Sequence, residues 1–167
     1  ALLHLKESLR ILKWINPALR DALIMVTPPW DYSPTWKKLF EKQDYHAAEA
    51  ELSLLMHWCP EVVRDKIVMD EAEVAKRLRE DPDSYQLRES LTEDPHEVLT
   101  TSQSLDVKIG VMGYPEKARV ATGAKIEAEI VSNFTTQMRK LITEANAARS
   151  SGKRIVHQDN EKLKIMS

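Results

Sequence analysis

Histidine, thiol and carboxylate side chains are the groups of this 167-residue chain that could move protons, attack carbonyls or hold metals. Its five histidines are His4, His46, His57, His96 and His157, and Cys59 is its single cysteine. His57-Trp58-Cys59 sets two ligand types close together, with His46 eleven residues upstream. A metal site needs such groups to converge at set spacings. On a helix His57 and Cys59 point to different sides, and no second cluster supplies more ligands. The spacing reads as a buried thiol beside a helix end, and no metal or other cofactor is expected.

Carboxylates gather at Asp70-Glu71-x-Glu73 and at Asp81-Pro82-Asp83-Ser84. Both lack the twelve-residue loop and closing glutamate of a calcium site and read as first-turn acids facing a helix dipole. Gly110-Val-Met-Gly113-Tyr-Pro115 is the closest approach to a phosphate loop, but its proline and wide spacing fit a plain turn better. No G-x-S-x-G or H-E-x-x-H occurs, so no nucleophile or metalloprotease signature marks the chain as an enzyme. Asn133-Phe134-Thr135 matches a glycosylation acceptor but falls inside a helical stretch.

Charge is unevenly placed. Residues 1–100 carry a net −6 and residues 101–167 a net +4. Lys125, Arg139, Lys140, Arg149, Lys153 and Arg154 are the basic residues that could track a phosphate backbone, with Ser150–Arg154 as a flexible arm. Equally, the basic part could dock on the acidic part of another copy or of a larger partner.

The elements that position these groups follow from glycine and proline. All four glycines lie at or beyond residue 110. Tight hairpins need residues that accept positive φ, so the first hundred residues read as helical. Asn16-Pro17, Ser33-Pro34, Asp81-Pro82 and Asp94-Pro95 each put a capping side chain before a proline, and Asp44 and Asp70 are plain caps. The pattern predicts helices near 2–15, 17–26, 34–43, 45–58, 60–69, 71–80, 83–91 and 95–101. Leu105–Met112 alternates like a strand, with Arg154–Val156 as a candidate partner. Ala124–Arg149 reads as a long amphipathic helix. Its stripe Val131, Phe134, Met138, Leu141, Ala145, Ala148 offers a seam to a second copy.

A shift of 44 positions aligns Glu7–Met25 with Glu51–Met69, including Trp14 with Trp58 and Arg20-Asp21 with Arg64-Asp65. A duplicated helix pair of that period would stack to bury its apolar faces. Pro60-Glu-Val-Val-Arg64-Asp65 resembles the opening of a HEAT second helix. Asp44-Tyr45-x-x-Ala48 resembles a tetratricopeptide hairpin, though Trp36 takes that repeat's glycine position.

The expected architecture is mainly α: a multi-helix bundle or short α-solenoid with one short strand and a long C-terminal helix. Residues 1–101 would form the acidic helical unit and 102–167 the strand, helix and basic tail. Mean hydropathy of −0.42 and the absence of a long apolar run exclude a transmembrane helix and predict no membrane partner. No charged leader with an apolar stretch opens the sequence, and one cysteine fits a reducing compartment, so a cytoplasmic location is expected. The function expected is a non-catalytic scaffold or adaptor subunit for protein assembly. The alternative is a nucleic-acid-associated protein using the basic helix and tail.

Overall fold

Proline opens most of the short elements. In the computed structural model, single 3-10 turns begin at Pro17, Pro29, Pro60, Pro82 and Pro115, and Pro34 opens an α-helix. At the first helical position proline gives up a donor that would have had no partner and brings a suitable φ. Residues 1, 20, 21, 23, 25, 26, 91, 95–99, 159–162 and 167 lie outside those the structure describes. Residues 2–4, 6, 100, 154–158 and 163–166 are described by their backbone alone.

Five α-helices stand among the described residues: α1 (Leu2–Ile15), α2 (Pro34–Phe40), α3 (Glu49–Trp58), α4 (Ala72–Glu80) and α5 (Val120–Ser150). The chain is mainly helical, as its sequence predicts. Four short strands pair as two separate antiparallel ribbons: β1 (Gln86–Glu89) with β2 (Thr100–Gln103), and β3 (Arg154–Gln158) with β4 (Leu163–Met166). Gln86 faces Gln103 in the first ribbon, and Arg154 faces Met166 in the second. No described helix is long and apolar enough to cross a membrane.

Several expected elements take another form. The strand expected over Leu105–Met112 is a series of turns, and Arg154 pairs with β4 instead. The physical reason is Asp70, whose carboxylate accepts the N–H groups of Lys108, Ile109 and Gly110 at 2.7, 3.0 and 2.7 Å. Donors satisfied by a carboxylate need no strand partner. The helices expected near 60–69 and 83–91 shrink to the turns Pro60–Val62 and Pro82–Tyr85, the second running straight into β1. A HEAT-like pair has no second helix there. The partner helix of the other copy falls on 17–26, of which Pro17–Leu19 is a 3-10 turn and Arg20, Asp21 and Met25 lie outside the described residues. The helix expected at 95–101 also lies mostly outside them, and its last two residues belong to β2.

Two compact units form, one from residues 33–129 and one from 1–32 with 130–167. The charge boundary near residue 101 falls inside the first. That unit centres on Leu78, Val107 and Met112, packed with Tyr45, Val74 and Tyr85. Ala48, Ala50, Leu54, Ala75, Ala118 and Ile126 are also buried in it, so small side chains bring its backbones close. The closest approach is at Gly123 of α5, where a Cβ would collide with the carbonyl of Ser53 on α3. Ser53 is fully buried, and its hydroxyl accepts the Arg119 N–H at 3.0 Å just before α5 begins. In the second unit Leu141, Ala145 and Ala148 are buried, and Tyr32 meets Phe134 edge-on at 5.3 Å. Half of the stripe expected to seam two copies is therefore already covered within the chain.

Candidate functional site

The segment joining α2 to α3 is the most constrained stretch of the unit formed by residues 33–129. A continuous helix expected from residue 45 begins only at Glu49. Before it, Gln43 and Ala47 hold φ of 65° and 52°, a left-handed conformation costing side-chain-bearing residues about 1–2 kcal/mol each. Such strain persists only where the surroundings over-determine it, and it gathers at functional sites.

What over-determines it is visible atom by atom. Asp44 is buried, and its carboxylate accepts the N–H groups of Glu49 at 2.7 Å and Ala50 at 2.8 Å. It thereby caps α3 from outside, because Ala48 next to the helix has no side chain to do so. On the other flank, the Tyr45 and His46 N–H groups donate to the Met112 carbonyl, and Met112 N–H donates back to the His46 carbonyl at 2.9 Å. Gly113 then lies flat against Asp44 and Ala48, where any Cβ would strike both.

This clamp leaves the side chain of His46 outside, 63% exposed. Its Nδ1 lies 3.4 Å from Oε2 of Glu51, and that same oxygen accepts the Ala47 N–H. The other ring nitrogen has no hydrogen-bond partner among the described residues. A carboxylate facing one imidazole nitrogen fixes the ring and leaves the other nitrogen to take or give a proton. Glu49, half-buried, is held above the usual carboxylate range by burial and by Asp44, with Lys117, Lys42 and Arg119 pulling the other way.

A second histidine–carboxylate pair stands at the far end of α3. Nε2 of His57 is 2.7 Å from Oε2 of Glu127 on α5, and both are partly buried. The pair ties the two helices where Gly123 lets them touch. His46 and His57 occupy opposite ends of α3 and make separate pairs. Cys59 is a free thiol at the C-cap, beside a helix end as expected, but it is half-buried rather than buried. Among the described residues no three His, Cys, Asp or Glu side chains converge to hold a metal ion.

Three other acids hold backbone in place. Asp70 organises the 108–110 turn, Asp81 caps Asp83, and Glu129 of α5 captures the Ser33 hydroxyl at 2.7 Å and the Thr35 N–H and hydroxyl at 2.9 and 2.8 Å. Ser33 in turn caps α2 by accepting the Trp36 N–H at 3.0 Å. Asn133, the glycosylation candidate, lies within α5 and donates to the Tyr32 carbonyl.

Of the six basic residues expected to meet nucleic acid, five have described side chains. Lys125 belongs to the unit of residues 33–129, and Arg139, Lys140, Arg149 and Lys153 to the other, all exposed. On α5 Arg139 and Lys140 are adjacent and diverge by about 100°, and Arg149 lies on neither's ridge, since same-face neighbours recur every three or four residues. Arg149 also reaches Asn146 at 3.3 Å. Arg154 opens β3, and its side chain lies outside those described.

Sequence reading passed over the Asp44-x-His46-x-x-Glu49-x-Glu51 cluster. Its signal was one histidine among three acids in eight residues, hidden by treating residues 45–58 as one regular helix.

A family model described as Creatininase, creatinine amidohydrolase, matches residues 8–138, more than half of the chain. The match contains the whole Asp44–Glu51 segment and its Met112–Gly113 clamp. No curated protein and no solved structure matches the chain. The family finding overturns the scaffold and assembly role expected from the sequence, because it points to a family of hydrolases. Composition and the absence of familiar catalytic motifs misled there, since a catalytic constellation need not follow a known short motif.

Proposed function

The chain belongs to the creatininase family, and from that premise we propose that it is a hydrolase opening the amide bond of a small cyclic substrate of the creatinine kind. His46 is its proton carrier. The observation behind this reading is the His46–Glu51 pair, held by a strained and clamped backbone within the family match.

The chemistry follows from the geometry. The open nitrogen of His46 takes a proton from water, and the water oxygen bonds to the acyl carbon. The carbon–nitrogen bond then breaks, and the imidazolium returns its proton to the leaving nitrogen. The proton left on the new carboxyl group then passes to the basic nitrogen of the product, giving one carboxylate and one protonated nitrogen, so atoms and charge balance. Glu51 keeps the ring oriented and offsets its positive charge while the proton is held. Asp44 acts at one remove, by fixing the backbone that carries His46.

The test is creatine release from creatinine, followed by NMR, in the protein and in His46→Ala and Glu51→Gln variants. Turnover should fall about 100-fold or more for His46→Ala, the lower range for losing a general base. Glu51→Gln should retain part of the activity with an altered pH profile. If the intact protein opens neither creatinine nor any other small cyclic amide, the hydrolase reading is wrong. If His46→Ala turns over normally while folded, the proton carrier lies elsewhere.

A further inference from the structure

Among the described side chains of α1 none is buried. Leu5, Ile11, Leu12, Trp14 and Ile15 are all exposed, from 40% at Leu12 to 79% at Trp14. At about 100° per residue these five spread over about half of the helix circumference. Leu9 and Lys13, the two that are half-buried, fall outside that arc, as does Arg10. The helix therefore splits into a broad apolar half, which faces water, and a half that holds its described cations. Trp14 sits at the border, on the side toward Arg10. Charge is uneven as well. The α1 sequence carries Lys6, Arg10 and Lys13 against Glu7 alone, and Glu7 holds Arg10 at 2.6 Å.

The width of the arc bears on what covers it. A helix of a second copy or of a protein partner covers a narrow seam. Laid along Leu5 and Leu12, such a helix would leave Ile11, Trp14 and Ile15 in water. A lipid surface takes the whole arc at once, with tryptophan at headgroup level and the cations attracted by acidic headgroups. With 14 residues α1 is about 21 Å long, too short to span about 30 Å of hydrocarbon, so it would lie flat. We infer that α1 is a surface anchor for an anionic membrane, its apolar arc sunk into the headgroup boundary and its surplus positive charge drawn to acidic lipid. This anchor is independent of the hydrolase activity.

Co-sedimentation of the whole chain with vesicles tests it. Vesicles of phosphatidylcholine alone are compared with vesicles of equal parts phosphatidylcholine and phosphatidylserine, at low and high salt. The protein should bind the acidic vesicles at least about fivefold more tightly than the neutral ones, a difference that high salt removes. Lys13→Gln should weaken acidic-vesicle binding about fivefold, the scale of one basic residue near the surface. Ile15→Ser should weaken it about tenfold or more, the scale of one buried aliphatic side chain, and Ile15→Leu should retain it. Circular dichroism matching the parent separates these losses from unfolding. No binding to acidic vesicles, equal binding to both lipids, or full binding by Ile15→Ser overturns the anchor. Concentration-dependent dimerisation that Ile15→Ser abolishes, without vesicle binding, overturns it in favour of a second copy.

Discussion

Replacing Gly123 by alanine tests the packing that holds α3 in place. On an open helix face the change stabilises, because glycine in a helix interior costs about 1 kcal/mol relative to alanine. At Gly123 the new Cβ has no room. It would overlap the Ser53 carbonyl oxygen and carbon and lie 3.0 Å from Cβ of His57. The obstacle is backbone, which cannot swing aside like a side-chain tip, so α3 and α5 must separate. Overpacking of this kind typically costs about 1–3 kcal/mol, and a backbone obstacle puts Gly123 near the top of that range. Subtracting the propensity gain leaves a net loss of about 2 kcal/mol. Urea unfolding should show the midpoint falling by about 1 M with an unchanged slope, since slopes for small domains run near 1–3 kcal/mol/M. The His57–Glu127 pair would be pulled apart by the same shift. A midpoint equal to or above that of the parent would refute the close approach of α3 and α5 at this point.

Three carboxylates give further predictions. The Glu129 carboxyl is raised by burial but more strongly lowered by Ser33 and Thr35, so its net pKa lies below the ordinary value. A lowered carboxyl stabilises the fold fully above its unfolded pKa, near 4.3, and this is lost as pH falls through the folded value. Glu129→Gln should therefore cost about 2 kcal/mol at neutral pH, the scale of a hydrogen bond to a charged group, and flatten acid unfolding followed by circular dichroism. An unchanged acid profile would count against it. Glu49 is raised, so its sign is opposite: stability falls as pH climbs from its unfolded value through the folded one. Glu49→Gln should leave thermal stability at neutral pH equal or higher, and a clear loss would contradict the burial argument. Asp70→Ala should speed amide hydrogen exchange at Lys108, Ile109 and Gly110 and spare Glu49 and Ala50, which Asp44 holds. Equal exchange at all five amides in parent and variant would dismiss the Asp70 clasp.

Helices with a continuous apolar period were legible. α1 spans the expected 2–15, α4 lies within 71–80, and the long helix expected over 124–149 is α5, four residues longer at its start. Caps were legible as local chemistry: Asn16, Ser33 and Asp81 all accept an N–H two or three residues on. What a cap cannot specify is how far the helix runs. After Pro82 the chain completes one turn and leaves as β1, because Gln86–Glu89 finds a partner in Thr100–Gln103, beyond any local pattern. The alternation of Val107, Ile109 and Val111 did not report even which residues face inward: Val107 and Val111 are buried, with the out-of-phase Met112, while Ile109 is exposed, because the segment is a series of turns rather than a strand.

The candidate site escaped sequence reading for the same reason that it exists. A stretch of a hundred residues without glycine lacks the usual means of turning sharply, yet it must turn several times. Here carboxylates supply the turns by collecting N–H groups from backbone that is neither helix nor strand: Asp44 takes two and Asp70 takes three, while Glu129 takes one N–H and two hydroxyls. An acid five residues before a helix, or forty residues from the loop it gathers, carries no local signature. Its effect is nonetheless local and strong at Asp44 and Glu129, because the donors captured there would otherwise be wholly or partly buried without a partner. Asp44 shows where that leads. By capping α3 from outside the helix it leaves residues 45–48 free of helical geometry, and Ala47 takes its left-handed φ beside the Met112 bridge. In a continuous helix His46 and Glu51 would be five residues apart, a spacing that faces neither i+3 nor i+4. The break in the helix is what sets the imidazole beside the Glu51 carboxylate. The irregularity that defeated the periodic reading thus creates the pair on which the proposed proton transfer depends.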